Sequence, residues 1–371
     1  MKNSPYKDDN NHKTTQPLSG VDSLVVRCPN WVGDIVMGTP AYECLRRNFP
    51  DAHITALVRP YARDIIECSP WFDNIVDCDD KSLTGLRHIR TALANPTPQA
   101  GILFTNTTHS YLTFRLAGVK RVYGYRRNLH RFMLQDGPLP LRENGEGGKR
   151  GKIRAQPMQD YYLNLCRHLG LEMPANPKPV LYIDDEQQQV GEAKLREYEI
   201  GEDDVVIGLN PGASFGSSKC WPTEYYARLA ELLQETYNCK LLLLVGPGEE
   251  GIANQIVQQS KASIINTAPQ PATLAELKTL IRCCNLLITN DTGPRHYAVA
   301  FDVPHIVIMG STDPILSAGN LEFATVLRRD LPCSPCHKRI CPLGHHNCMR
   351  EITPASVLQA TEKYLVEGAS L

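Results

Sequence analysis

Three glycine-containing loops, each following an apolar stretch, carry most of the residues that could do chemistry. Asn210-Pro-Gly-Ala-Ser-Phe-Gly-Ser-Ser-Lys-Cys-Trp-Pro222 follows the apolar run 205–209 and leads into an amphipathic segment, 223–234. Its small residues let backbone N–H groups approach an oxyanion, and Lys219 supplies a point charge. An ordinary strand-to-helix loop also uses Gly and Ser. Lys219 and the helix start at Trp221-Pro222 favour a phosphate site, with Ser214 among the donors.

The second loop is Thr289-Asn-Asp-Thr-Gly-Pro-Arg-His296. Asp291, Thr292 and Gly293 join a strand to a helix N-terminus, with His296 one turn in. Free first-turn N–H groups there suit a phosphate or a sugar hydroxyl; a helix capped by Asp291 or Thr292 is the plainer alternative. In the third loop, Gly246-Pro-Gly-Glu-Glu250, Glu249 could take a ribose hydroxyl pair. Together the three loops describe a nucleotide crevice. A fourth candidate, Asp34, starts a helix directly after the first strand. It is either a carboxylate favoured by the helix dipole or a general base at a cleft. There is no G-x-G-x-x-G after the first strand and no P-loop, which disfavours dinucleotide and P-loop chemistry. Asp77-Cys-Asp79 reads as a solvated strand end.

These loops need strands to carry them. Strand patterns at 23–27, 53–58, 74–76, 100–104 and 121–125 alternate with helical patterns at 35–47, 61–69, 83–94 and 110–117. A loop at 142–155 without periodicity reads as mobile, and a helix spans 158–169. A Pro-rich connector at 173–179 then marks a domain boundary near 180. Strands at 205–209, 240–245, 263–266, 286–289 and 305–309 follow, alternating with helices at 223–236, 249–259, 273–283 and 293–301. Such βα alternation implies two mostly parallel, doubly wound α/β domains, at 21–180 and 181–352. A final helix from Thr353 to Val366 could pack back on the first domain.

The chain has 371 residues, enough for two domains of roughly 150–200 residues each. With 39 basic and 40 acidic side chains the formal net charge is −1, so no overall nucleic-acid footprint is visible. No apolar run approaches the roughly 18 residues of a membrane span. Residues 1–20 are polar, lack the apolar core of a secretory signal, and read as a disordered tail. Most of the 13 cysteines should then be reduced. Cys44, Cys166 and Cys239 lie in apolar patterns and read as small hydrophobes.

Pro29-Asn-Trp-Val-Gly-Asp34, the 210–222 loop and Asn290-Asp-Thr-Gly-Pro-Arg-His296 together resemble the motifs of the ADP-heptose–lipopolysaccharide heptosyltransferases, glycosyltransferase family 9. Pro332-Cys-Ser-Pro-Cys336 and Cys341-Pro-Leu-Gly-His-His-Asn-Cys-Met349 are similar to the tail of that family's heptosyltransferase II branch. The resemblance runs in order from about residue 23 to about residue 365. It implies a GT-B fold, two Rossmann-like domains facing a cleft. It also implies an inverting transfer of L-glycero-D-manno-heptose from ADP-heptose to the first heptose of the lipopolysaccharide inner core, with no cofactor or active-site metal.

By that resemblance Asp34 is the catalytic base. Ser214 and Lys219 hold the donor diphosphate. Asp291, Thr292, Gly293 and His296 surround the donor sugar, and Glu249, or its neighbour Glu250, binds the ribose. Phe215 departs from the family, which carries a hydroxyl there. The acceptor is anionic, so Arg59, Arg63, Arg126 and Arg127 are its expected partners, within a basic cluster that includes Lys120, Arg121, His130 and Arg131. A cytoplasmic enzyme meeting the inner face of the inner membrane transiently is the implied setting. A family member with another acceptor, a non-catalytic sugar-nucleotide sensor and a nucleotide-sugar epimerase are the competing readings. Cys333, Cys336, Cys341 and Cys348, with His337, His345 and His346, could form a tetrahedral metal site or stay as free or paired thiols.

Overall fold

A computed structural model describes residues 18–127, 129–143 and 151–365. Most of the N-terminal segment read as a disordered tail and half of the 142–155 loop lie outside the described residues. Among the described residues, two all-parallel sheets account for eleven strands. The first contains β1 (Ser23–Arg27), β2 (His53–Val58), β3 (Asn74–Asp77), β4 (Ala100–Leu103) and β5 (Arg121–Gly124), in the order β3-β2-β1-β4-β5. The second contains β6 (Val206–Asn210), β7 (Lys240–Leu243), β8 (Ile264–Asn266), β9 (Leu286–Asn290), β10 (His305–Ile308) and β11 (Ala324–Leu327), in the order β11-β10-β9-β6-β7-β8.

Both sheets reverse their winding at an inner pair, β1/β4 and β6/β9. A doubly wound sheet binds ligands at such a switch point, beyond the carboxyl ends of its strands. Asp34 follows β1; the 210–222 and 291–293 loops follow β6 and β9. Central strands such as Leu24-Val-Val26 and Leu286-Leu-Ile288 are fully buried, as parallel strands covered on both faces must be.

The helices are α1 (Val32–Met37), α2 (Thr39–Asn48), α3 (Leu83–Ala92), α4 (Thr108–Leu116), α5 (Met158–His168), α6 (Asp185–Glu197), α7 (Thr223–Thr236), α8 (Glu250–Gln259), α9 (Glu276–Arg282), α10 (Pro294–Ala300), α11 (Asn347–Arg350) and α12 (Pro354–Thr361). One apolar core lies between the sheets and includes side chains from both, among them Ile35, Tyr42, Leu165, Leu244, Leu277 and Tyr297. A second backs the outer face of the second sheet and a third that of the first.

Local structure departs from the sequence expectations in a few places. The 35–47 helix is two helices, α1 and α2, meeting at Gly38, where an added Cβ would lie 2.9 Å from the Tyr42 hydroxyl. The 61–69 helix is a 3-10 turn, Pro60–Ile65. α6 was not anticipated, because its sequence is almost wholly polar; the Asp184 side chain caps it by accepting from Gln187 N–H at 2.8 Å, and it packs on α9. The C-terminal helix does not return to the first half. α12 lies on α7 and β10, with Val357 and Leu365 in the outer core of the second sheet and Tyr237 hydrogen-bonded to Thr361 at 2.9 Å.

Candidate active site

A cavity of about 900 Å³ lies between the carboxyl edges of the two sheets. Trp31, Gly33, Asp34, Tyr61 and Asp64 line it from one side; the 212–219, 244–249, 272–277, 291–296 and 312–317 segments contribute to the other. Asp34, Ser214, Lys219, Glu249, Asp291, Thr292, Gly293 and His296 all face this single space.

Asp34 occupies the first turn of α1, which has no side-chain cap. Burial pushes its carboxyl up to about 6, opposed by a hydrogen bond with the buried Tyr162 and by the Lys219 charge. The loop before it is clamped through Asn30. The Asn30 side-chain oxygen accepts from Arg27 Nη2 at 2.7 Å and from Arg59 Nε at 3.3 Å, and its carbonyl accepts from the Tyr61 hydroxyl.

Across the cavity Lys219 Nζ donates to the Asp291 backbone carbonyl at 2.8 Å and meets its carboxylate Oδ2 at 3.0 Å. Asp291 also pairs with Arg295 at 2.9 Å and accepts from the Thr312 hydroxyl at 2.5 Å. Burial alone would raise the Asp291 carboxyl; Arg295 and Lys219, with the Thr312 hydroxyl, hold it well below the usual carboxylate range. Gly293, rather than Asp291 or Thr292, occupies the cap position of α10, and no side chain caps that helix. Asp291 is thus an organiser of Lys219. His296 is buried and pushed down to about 3 by desolvation and Arg295, so its imidazole is neutral.

The loops approach closely only because particular positions lack a Cβ. An added Cβ on Gly33 would lie 2.7 Å from the His296 ring, and one on Gly293 would lie 2.8 Å from Val32 Cγ1. α1 and α10 therefore touch end to end. Glu249 lies against Gly212, and its Oε2 accepts from Gly246 N–H at 2.9 Å; burial raises its carboxyl. Glu250 instead accepts from Gly248 N–H at 3.0 Å and does not line the cavity. Phe215 places its ring 5.3 Å from Lys219 Nζ, so an aromatic face stands where the family carries a hydroxyl.

Two buried asparagines tie the loops to the sheet. Asn290 donates to the Pro211 carbonyl at 2.6 Å and accepts from Trp221 N–H at 3.2 Å, while Asn210 accepts from Thr289 at 3.0 Å. Arg295, Thr312, Tyr162 and Asn30 were not singled out from sequence. Arg295 alone had a local signal, an opposite charge four residues after Asp291.

None of Arg59, Arg63, Arg126 and Arg127 lines the cavity. Arg59 pairs with the buried Asp80 at 2.8 Å, Arg63 with Glu67 at 3.0 Å and Asp77 at 3.3 Å, and Arg126 with Asp136 at 3.3 Å. Arg127 lies near Tyr161 of α5, on whose hydroxyl its charge acts.

The cysteine segment braces the Lys219 loop from behind. Ser218 N–H donates to the Arg339 carbonyl at 3.1 Å and the Ser218 hydroxyl to that of Lys338; His346 Nε2 lies 3.1 Å from the Ser218 carbonyl. Gly216, at φ +145°, would place a Cβ 2.4 Å from the Arg339 carbonyl oxygen. Cys333, Cys336, Cys341 and Cys348 surround a small adjoining cavity and are free thiols. Among the described residues no group of three or more His, Cys, Asp or Glu is arranged to hold a metal ion.

A carboxylate on one Rossmann-like half, facing a small-residue loop with a lysine on the other, fits the two-domain GT-B fold of glycosyltransferases. The chain belongs to glycosyltransferase family 9 (heptosyltransferase), whose profile matches residues 149–347. It is 35% identical over 163 residues to lipooligosaccharide heptosyltransferase 2 of Campylobacter jejuni, an alignment covering 43% of this chain and 51% of that protein. It is 25% identical to lipopolysaccharide heptosyltransferase 2 of Escherichia coli K12, over 93% and 99% of the two chains. The structure of the E. coli ADP-heptose LPS heptosyltransferase II superposes with a TM-score of 0.71 at 23% identity, over 92% of this chain and 98% of that one. The two Campylobacter jejuni relatives are matched over about half their own length, and what the comparisons show is membership of the glycosyltransferase family.

Proposed function

We propose that this protein transfers L-glycero-D-manno-heptose from ADP-heptose to the first heptose of the lipopolysaccharide inner core, with inversion. The observation that carries the chemistry is Asp34 facing the Lys219–Asp291 pair across one cavity; the relatives' names support heptose, ADP-heptose and lipopolysaccharide, and the first core heptose as acceptor is part of the proposal. Asp34 accepts the proton of the acceptor hydroxyl as that oxygen bonds to the anomeric carbon. The anomeric carbon–oxygen bond to ADP breaks, and its electron pair leaves with the diphosphate. The transition state is oxocarbenium-like, so charge must be managed on both faces of the sugar. Lys219 and N–H groups of the 212–217 stretch take the negative charge of the departing diphosphate. Ser214 is exposed beside them.

Glu249 is the ribose carboxylate, since it faces the cavity and Glu250 does not. Asp291 acts through Lys219, with Thr292, Gly293 and neutral His296 shaping the sugar site. Arg126 and Arg127, outside the cavity wall, would meet the anionic acceptor, while Arg59 and Arg63 brace the Asp34 side. The acceptor is anchored in a bilayer, so the enzyme works at the cytoplasmic face of the inner membrane through transient contact. No described helix is long and apolar enough to cross a membrane.

The test is a transfer assay with ADP-heptose and inner-core acceptors bearing no heptose or one. Transfer to the one-heptose acceptor, lost in Asp34→Asn while ADP-heptose still binds, is the expected result. Transfer only to the heptose-free acceptor would reassign the step, and donor binding without any turnover would remove the catalytic reading.

A further inference from the structure

We propose that α4 and the 3-10 turn Leu129–Phe132 form a membrane-docking face that takes an anionic lipid surface. α4 buries Ser110, Tyr111, Thr113 and Phe114 and turns Leu112 and Leu116 outward. The 3-10 turn packs beside α4. Leu129 is 79% and Phe132 77% exposed, and the adjacent Met133 is also in water. Four large apolar side chains on two neighbouring elements, with Met133 next to them, make a surface that water alone does not favour.

The same stretch of chain is rich in cations. From residue 105 to residue 143 the sequence has Arg115, Lys120, Arg121, Arg126, Arg127, Arg131 and Arg142 against two carboxylates, Asp136 and Glu143. The Arg131 guanidinium lies 4.3 Å from the Phe132 ring centroid, so charge and apolar surface share one turn. A bilayer interface accepts this combination: apolar side chains enter the boundary between headgroups and acyl chains, and cations stay at anionic headgroups. A second copy of the chain is a poor occupant, because a two-fold contact would set the same positive surface against itself. The face belongs to the half that carries Asp34. The inference rests on the reading that the acceptor is lipid-anchored, for which it supplies the contact surface.

The experiment is co-sedimentation of the full chain with vesicles of phosphatidylethanolamine and phosphatidylglycerol, and with phosphatidylcholine vesicles, at low and high salt. The expected result is binding to the anionic vesicles that weakens with salt and drops about tenfold or more in Leu129→Ser/Phe132→Ser. Both side chains are exposed, so the thermal midpoint of the variant should match the wild type, and its transfer rate on a delipidated, water-soluble acceptor should be unchanged. Equal vesicle binding by variant and wild type, or equal binding to neutral vesicles, would overturn the proposal. So would a concentration-dependent dimer that the variant loses in the absence of vesicles. Vesicle binding that behaves as expected in a protein unable to transfer heptose would sink the functional reading and leave the docking face standing.

Discussion

Burial holds the Asp34 carboxyl up at about 6, and a base must be ionised to accept a proton. Transfer should therefore fall as pH drops through about 6, roughly tenfold per unit below it, and level off above. The Tyr162 hydroxyl and the Lys219 charge both hold that value down. Tyr162→Phe should move the acid limb to higher pH; a kcat/KM profile that stays in place would show that the hydroxyl does not act on the base. Lys219 and Asp291 separate by a different measurement. Lys219→Ala should cost about 10²–10³-fold in kcat, as removal of one preorganised donor does, with a smaller loss of stability than Asp291→Ala because Asp291 keeps Arg295 as a partner. Asp291→Ala leaves Arg295, 2% exposed, as an unpaired buried charge. It should lose about 3–5 kcal/mol in urea unfolding.

Among the elements, the meeting of α1 and α10 sets the distance between base and donor loop. Gly33→Val adds bulk 2.7 Å from the His296 ring and must part the two helix ends. A shift near 1 Å in reacting geometry is enough to cost about 10²-fold. Transfer by this variant should fall by about that factor while its folded far-UV signal persists; unchanged transfer would mean that the end-to-end contact is dispensable. Most elements were legible from periodicity and punctuation, because strands of a parallel sheet are continuous apolar runs and their helices are amphipathic. α6 was not, since Gly191 against Thr279 and a cap at Asp184 replace an apolar stripe. β11 also escaped notice, being a half-buried edge strand of four residues.

At the scale of the whole molecule, the shared core between the sheets makes the two halves one thermodynamic unit. Tryptophan fluorescence, from Trp31 and Trp71 in one half and Trp221 in the other, should report the same urea midpoint as far-UV circular dichroism. Two separated transitions would show halves that unfold independently. The cysteine segment also acts at this scale. It holds the back of the Lys219 loop through backbone contacts of Lys338 and Arg339 and through His346, roles that thiol spacing does not reveal.

By itself, the order of strands, loops and charged residues determined the doubly wound class, three small-residue loops at strand ends and a carboxylate, Asp34, at the end of the first strand. These are local facts: a strand must be apolar, a close loop must be small, and a base must carry a carboxylate. Only the tertiary structure decided which charges face the cavity and which engage one another. Arg59 and Arg63 are engaged in ion pairs away from the cavity, Asp291 is engaged by Lys219 and Arg295, and Glu249 rather than Glu250 turns inward. A charge finds its partner through space, across up to 72 residues of chain for Lys219 and Asp291, and no spacing rule carries that distance.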